Sequence, residues 1–234
     1  MAAPLYDLDM TVMRQSWHDV SFLHWRYDPA LVRPLVPRGL ELDLYDGAAW
    51  IGLVPFYITG LTLPNAPSIP YLSNFPETNV RTYATDRTGG RGVWFFSLDA
   101  ARLLAVVGAR AGYALPYFWS RMRVSCDGNV ARYSSERLHS PKASSEIAVA
   151  IGHPIASPSE LEIFLTMRFR LYAERVGRTW KVDIEHQPWP LQRASVTGVS
   201  ETLLQAAGLP APVGEAMTHY AKRVDVKVGP LVML

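Results

Sequence analysis

A glutamate and an arginine stand four residues apart in FPETNVRTYATDRTGGRGVWFF, at Glu77 and Arg81, and together they could hold an anion and move a proton. Asn79 to Thr85 reads as extended backbone. Strand side chains repeat every two residues, so Glu77, Asn79, Arg81 and Tyr83 share one face. On that face Arg81 presents a planar fork that grips a carboxylate through two N–H donors. A poorly solvated carboxyl at Glu77 keeps its proton to higher pH and becomes fit for general acid–base work. The plain alternative is an ordinary ion pair between strand neighbours.

Other reactive residue types carry less. The six histidines (His18, His24, His139, His153, His186 and His219) show no HExxH or HxH spacing and the chain has no paired CxxC, so no metal and no cofactor are expected. GxSxG, P-loop and GxGxxG motifs do not occur, and the GARAG at Gly108 to Gly112 falls inside and at the end of an expected helix, the wrong place for a dinucleotide turn. Cys126 lies before an Asp127-Gly128 turn with no histidine or helix terminus nearby to depress its pKa, which reads as a half-buried structural cysteine.

The elements that must position these groups are mostly strands. Asp28-Pro29 starts a short helix, with Asp as the cap and Pro at the first helical position. Glu41 to Tyr45 and Ala48 to Tyr57 read as a hairpin about Asp46-Gly47. Thr62 to Phe75, with three prolines and no periodicity, reads as an ordered loop and a candidate lid. Val80 to Thr85 and Gly92 to Ser97 form the next hairpin, and Asp99 is expected to open a long helix over Ala100 to Ala111, ended at Gly112. Further expectations are a hairpin of Arg121 to Ser125 with Val130 to Glu136, a helix capped by Ser157 or Ser159 with apolar positions Leu161, Phe164, Leu165 and Phe169, a strand at Trp180 to His186, a short helix at Thr202 to Ala207 capped by Ser200 and closed by Gly208, and a last strand at Arg223 to Val228. Many hairpins with few helices predict one α+β domain over 1–234 with an antiparallel β-barrel-like core, since closure removes strand edges and leaves an interior for a small ligand.

Composition sets the bounds. With 234 residues, 49% hydrophobic and 19% charged, the chain can bury a substantial core and is not disordered. Net charge is +2, and the five arginines between Arg102 and Arg132 are interrupted by apolar helix and strand residues and lack a run of stacking aromatics interleaved with them, so no nucleic-acid partner is expected. The apolar run near Gly92 to Leu98 is too short to span a bilayer, and no membrane partner is expected. A lone cysteine and the lack of a basic-plus-apolar segment at Met1 to Asp9 point to the cytoplasm.

The segment from Phe75 to Trp119, with RPLVPRGLELDLYDGAAWIGLVPF before it and WPLQRASVTG and HYAKRVDV after it, resembles the YqjF-like domain-of-unknown-function family of the acetoacetate decarboxylase-like superfamily. Three local matches reach the decarboxylases themselves. LVPRGLEL at Leu35 to Leu42 is similar to their VVPEPLEI turn, Glu77 falls on the glutamate of their YTE motif, and SLDAARLLAVVGARAGYALPYF is similar to their LD-helix-GRE-x-x-x-x-PKK element. The paired lysines of that element fall on Tyr117 and Phe118. Tyrosine cannot form an imine, but its phenol can donate a hydrogen bond to a carbonyl or a developing enolate, or simply plug the space between Pro116 and Phe118. The second decarboxylase glutamate falls on or near Ile51-Gly52, and the substrate arginine near Trp17-His18, with Arg14 an approximate substitute.

The resemblance implies a β-barrel-containing fold with a pocket, and His24 and His219, in family-like blocks, either line that pocket or are satisfied core histidines. The leading expectation is a small carboxylate- or carbonyl-bearing metabolite in that pocket, handled by enolisation, dehydration or lyase chemistry without a Schiff base. Glu77 and Tyr117 would act on it, and Arg81, Tyr83, His24 and Trp94 would contact it. A non-catalytic binding protein is the competing class. A structural protein, in which Trp50, Trp94, Phe96 and Trp119 fill the barrel, is the third. The partner expected is a small molecule, with homo-oligomerisation left open.

Overall fold

Turn chemistry and alternation build a chain dominated by long strands. The computed structural model describes residues 8, 10–63, 73–103, 106–107 and 112–234, and among them twelve strands join one sheet. These are β1 (Met13–Tyr27), β2 (Leu40–Leu42), β3 (Ala49–Thr62), β4 (Phe75–Asp86), β5 (Arg91–Ala100), β6 (Tyr117–Asp127), β7 (Val130–Arg137), β8 (Ser144–Pro154), β9 (Arg170–Arg175), β10 (Arg178–His186), β11 (Leu191–Glu201) and β12 (Met217–Met233). Short helices α1 (Pro29–Val32), α2 (Glu160–Thr166) and α3 (Leu203–Ala206) interrupt them.

Two strands fork and thereby close the sheet. One edge of β5 is taken by β4, and the other by β9 at Val93–Trp94 and then by β6 from Leu98. In the same way β12 pairs β1 along one edge, and along the other meets β11 at His219–Ala221 and β10 at Val226–Met233. Three arms therefore connect β5 to β12: β9–β10, β4–β3–β1, and β6–β7–β8–β11. The β4–β3–β1 arm is a wall between two cores. Phe22, Val54 and Phe56 pack on one side, and Leu23, Leu53 and Val80 on the other. Burial on both faces explains why β3 reads as a near-continuous apolar run, while β4 is buried along almost its whole length although many of its residues are polar. Each such Leu, Ile or Phe contributes about 1.5–3 kcal/mol.

Local signals produced the local features. The Asp28 side chain accepts from the Ala30 N–H at the start of α1 (2.8 Å). Ser159 and Glu162 form a reciprocal capping box at α2, which satisfies two orphan N–H groups. Gly208, with φ 86°, closes α3.

Several expectations are corrected. The barrel-like core is not purely antiparallel, because β5 runs parallel to both β6 and β9. Asp46 and Gly47 do turn, with φ 48° and 70°, but the hairpin there is a single bridge between Tyr45 and Ala48, and β2 pairs β4 instead. Asp99 does not cap a helix: it belongs to β5, and its buried carboxylate takes Arg137 Nε (2.8 Å), Arg137 Nη2 (2.9 Å) and Ser120 Oγ (2.7 Å). Much of the helix expected after it, at 104–105 and 108–111, lies outside the described residues, as does 64–72 of the expected lid loop. Cys126 is exposed rather than half-buried.

Candidate functional site

The β9–β10 and β4–β3–β1 arms, closed by β5 and β12, enclose a lumen. It holds a cavity of about 100 Å³ to which all seven strands contribute, among them Phe22, Val54, Glu77, Phe95, Leu171, Ile184 and Val228. Two irregularities set which side chains face it. Along β1 the lining residues switch from odd (Met13, Gln15, Trp17) to even (Val20, Phe22) across Asp19, whose φ is 48°. Along β5 the register against β4 slips at Phe96, so Val93 and Phe95 are followed by Leu98. Each slip reverses the faces beyond it.

Against this apolar wall β4 presents Glu77, Asn79 and Arg81. Glu77 is 3% exposed and accepts a hydrogen bond from the Tyr117 hydroxyl at Oε2 (2.8 Å). Tyr117 is the first residue of β6, and the parallel pairing of Leu98 with Tyr117 brings it beside Glu77, whose own partner on β5 is Ala100. Burial pushes the Glu77 carboxyl up to about 8; the Tyr117 and Asn79 hydrogen bonds oppose that rise and the Asp99 charge adds to it. Burial and the neighbouring Glu77 also raise the Tyr117 phenol well above its ordinary value.

Arg81 is 9% exposed and forms no ion pair among the described residues. One Nη2 contact reaches the Leu165 carbonyl at 3.4 Å, and its Nε has no hydrogen-bond partner among the described residues. Its guanidinium lies 5.6 Å from the Phe22 ring centre and 5.8 Å from that of Tyr83. The ion pair that Glu77 and Arg81 could have made with each other is therefore not formed. A buried cation without a counter-ion among the described residues, lining a cavity, has the charge and the free donors to hold an anion.

The other expected contacts fall elsewhere. Tyr83 donates to the Leu165 carbonyl (2.6 Å) and, because its single proton is spent there, accepts from His24 Nε2 (2.6 Å). His24 is thus the Nε2–H tautomer. Both side chains are buried behind the cavity and neither lines it. Burial and the Arg81 charge hold the His24 imidazole well below its usual range, so it is neutral. His219 bonds Glu162 (2.9 Å) and also stands off the cavity. Trp94 pairs Thr82, on the opposite face of the β4–β5 ladder from Tyr83 and Val93, and packs into the core beyond the wall. None of Trp50, Trp94, Phe96 and Trp119 lines the lumen. Arg14 is exposed, between the lining residues Met13 and Gln15.

Among the lining residues missed from sequence are His186 and Arg168. His186 could have been found, since it continues the Val182, Ile184 alternation of its strand; its Nδ1 bonds the Gln187 carbonyl (2.7 Å) and burial lowers its pKa. Arg168 had no local signal beyond being a cation between Met167 and Phe169. Its Nη1 pairs with Asp43 (2.6 Å) and its Nε binds the Phe164 carbonyl (2.7 Å), while its buried Nη2 has no partner among the described residues.

No lysine lines the cavity. Lys142 binds the Leu138 carbonyl (2.9 Å), Lys181 pairs with Asp183 (2.9 Å), Lys222 with Asp19 (2.6 Å) and Lys227 with Glu185 (2.7 Å), and none of the four lines the lumen. No group of three or more His, Cys, Asp or Glu among the described residues is arranged to hold a metal ion. No helix of the described residues is long and apolar enough to cross a membrane.

Comparison with known proteins places these residues in context. The profile of DUF2071, an uncharacterized conserved protein family, matches residues 14–225. The uncharacterized protein YqjF of Bacillus subtilis (strain 168) is 41% identical over 225 residues, covering 94% of this chain and 91% of its own. Among solved structures, the enduracididine biosynthesis enzyme MppR complexed with pyruvate has a TM-score of 0.67 at 14% identity, over 99% of this chain and 98% of that one. An acetoacetate decarboxylase-like enzyme from Sphingomonas wittichii RW1 has a TM-score of 0.68 at 14% identity, over 98% and 95%. Acetoacetate decarboxylase from Legionella pneumophila subsp. pneumophila str. Philadelphia 1 has 0.66 at 13%, over 100% and 92%. These structural likenesses establish the acetoacetate decarboxylase-like fold.

Proposed function

The chain belongs to the DUF2071 family of uncharacterized conserved proteins, and from that footing we propose that it binds a small carboxylate-bearing metabolite in the seven-strand lumen and moves a proton on it through Glu77, without an imine. The observation that carries this reading is the meeting of Arg81, a buried cation with no ion pair among the described residues, and Glu77, titrating at about 8, in one cavity. A cavity of about 100 Å³ has room for about three waters at liquid density, the scale of the head of a short oxo acid. The apolar wall with a few convergent polar groups is what a metabolite site requires.

In this reading the Arg81 guanidinium holds the carboxylate. Glu77, as carboxylate, takes a proton from the carbon next to the ligand carbonyl; the C–H electron pair moves into the carbon–carbon bond and the carbonyl oxygen becomes an enolate oxygen. Tyr117, donating to Oε2, orients the carboxylate and leaves Oε1 for the transfer. With its pKa near the operating pH, the same group can return the proton. Such proton transfer is a step shared by enolisation, dehydration and lyase reactions.

Pyruvate is a fitting probe, since MppR of the same fold is solved with it. Exchange of its methyl protons in heavy water, followed by proton NMR, should be catalysed at a rate that rises through an apparent pKa near 8. Glu77→Gln should abolish exchange and retain binding. Arg81→Lys, which keeps the charge but loses the fork, should weaken binding by about 1–3 kcal/mol. Binding without exchange at any pH would leave a non-catalytic binding protein, and no binding would refute the site.

A further inference from the structure

One layer of side chains separates the lumen from a second, larger cavity. Thr166, Arg168 and Trp189 line both the lumen and a vestibule of about 780 Å³ beside α2. The chain leaves the helix at this wall: Thr166 is the last residue of α2, and Met167 follows with φ −88° and ψ 75°. The bar across the wall is a hydrogen bond from Trp189 Nε1 to the Thr166 carbonyl (2.9 Å).

The vestibule is lined mainly by apolar and aromatic groups, Tyr45, Ile163, Phe164, Met167 and Trp189 among them, and Ile163 there is 48% exposed. Arg91 and Arg168 stand 5.4 and 4.4 Å from the Phe164 ring centre, and both are tied to Asp43. Glu160 adds a carboxylate to the lining and disfavours a second acid group on the ligand. At the junction Arg168, 6% exposed, keeps its buried Nη2 donor without a partner among the described residues.

Resting on the lumen reading above, we propose that the vestibule holds the tail of the same ligand, and that the substrate class is therefore 2-oxo acids with an alkyl or aryl side chain rather than pyruvate itself. The acid head lies against Arg81, the tail takes the place of the Trp189–Thr166 hydrogen bond, which opens when the ligand binds, and the free Arg168 N–H donates to the ligand oxygen at the crossing. The lumen is too small for more than the head, and the apolar lining beyond it gives an organic tail, not water, the better fit.

Calorimetric titration of the full chain with pyruvate and with phenylpyruvate tests this. Phenylpyruvate should bind at least tenfold more tightly. Ile163→Asp, at a half-exposed position of α2 outside the lumen, should erase most of that preference while pyruvate affinity stays unchanged, which also reports an intact fold. Equal affinity for the two acids, or an equal loss of both in Ile163→Asp, would overturn the tail assignment and leave the lumen reading standing. Failure of both acids to bind the unaltered protein, or binding indifferent to Arg81→Leu, would overturn the lumen reading and this one with it.

Discussion

Replacing Glu77 by glutamine should make the protein's stability much less sensitive to alkali. The Glu77 carboxyl is 3% exposed, and burial moves it from 4.5 to about 8. In an acid whose folded pKa is raised, the folded state binds more protons than the unfolded state between those two values, so stability falls as pH rises through that window. The favourable term is fully present below 4.5 and fully lost above 8. At about 1.4 kcal/mol per pH unit, the shift from 4.5 to about 8 corresponds to about 5 kcal/mol, of which about 4 kcal/mol is lost between pH 5 and 9. Glutamine has nearly the same shape and never ionises. The difference in melting temperature between the unaltered protein and Glu77→Gln should therefore move by roughly 10 °C between pH 5 and 9, in favour of the variant at high pH, for a chain of this size. Paired thermal melts by circular dichroism at a series of pH values measure it. A difference that stays constant from pH 5 to 9 would show that Glu77 does not titrate in this window, and the proton-transfer assignment would go with it.

Two further outcomes follow from the same geometry. Incubation with acetoacetate and borohydride should leave the intact mass unchanged, because each lysine is engaged away from the lumen; an adduct mapped to any lysine would refute this. Arg137→Met should lower stability by about 3–5 kcal/mol in denaturant titration, because it strands the Asp99 carboxylate, whose pair with Arg137 is 0% and 1% exposed; a loss below 1 kcal/mol would show that the pair does not brace the β5–β6 junction.

Neighbouring residues were enough for features whose physics is local. Period-two alternation along β4 put Glu77, Asn79 and Arg81 on one face, and that is the face they occupy in the lumen. The Asp28 cap, the Ser159 start of α2 and the turns at Asp46-Gly47 and Asp127-Gly128 depend on side-chain oxygens reaching nearby N–H groups or on tolerance of positive φ. The barrel-like class followed from the many hairpins, and the family from longer blocks of residues.

Pairing between distant residues decided the rest. β1 carries no steady alternation because its lining switches parity at Asp19, so a strand of 15 residues passed without a signal. Trp94 looked like a ligand contact until the pairing of Val93 with Tyr83 turned it toward the other core. Asp99 resembled a helix cap because its partner Arg137 lies 38 residues away. Tyr117 meets Glu77 across 40 residues only through the parallel β5–β6 pairing, and Arg168 enters the lumen from the end of a helix. A one-residue slip exchanges the two faces of a strand, and the slip is set by which strand lies alongside. Alternation along the chain thus tells which residues travel together, and only closure of the sheet at β5 and β12 decides which of them face the same cavity.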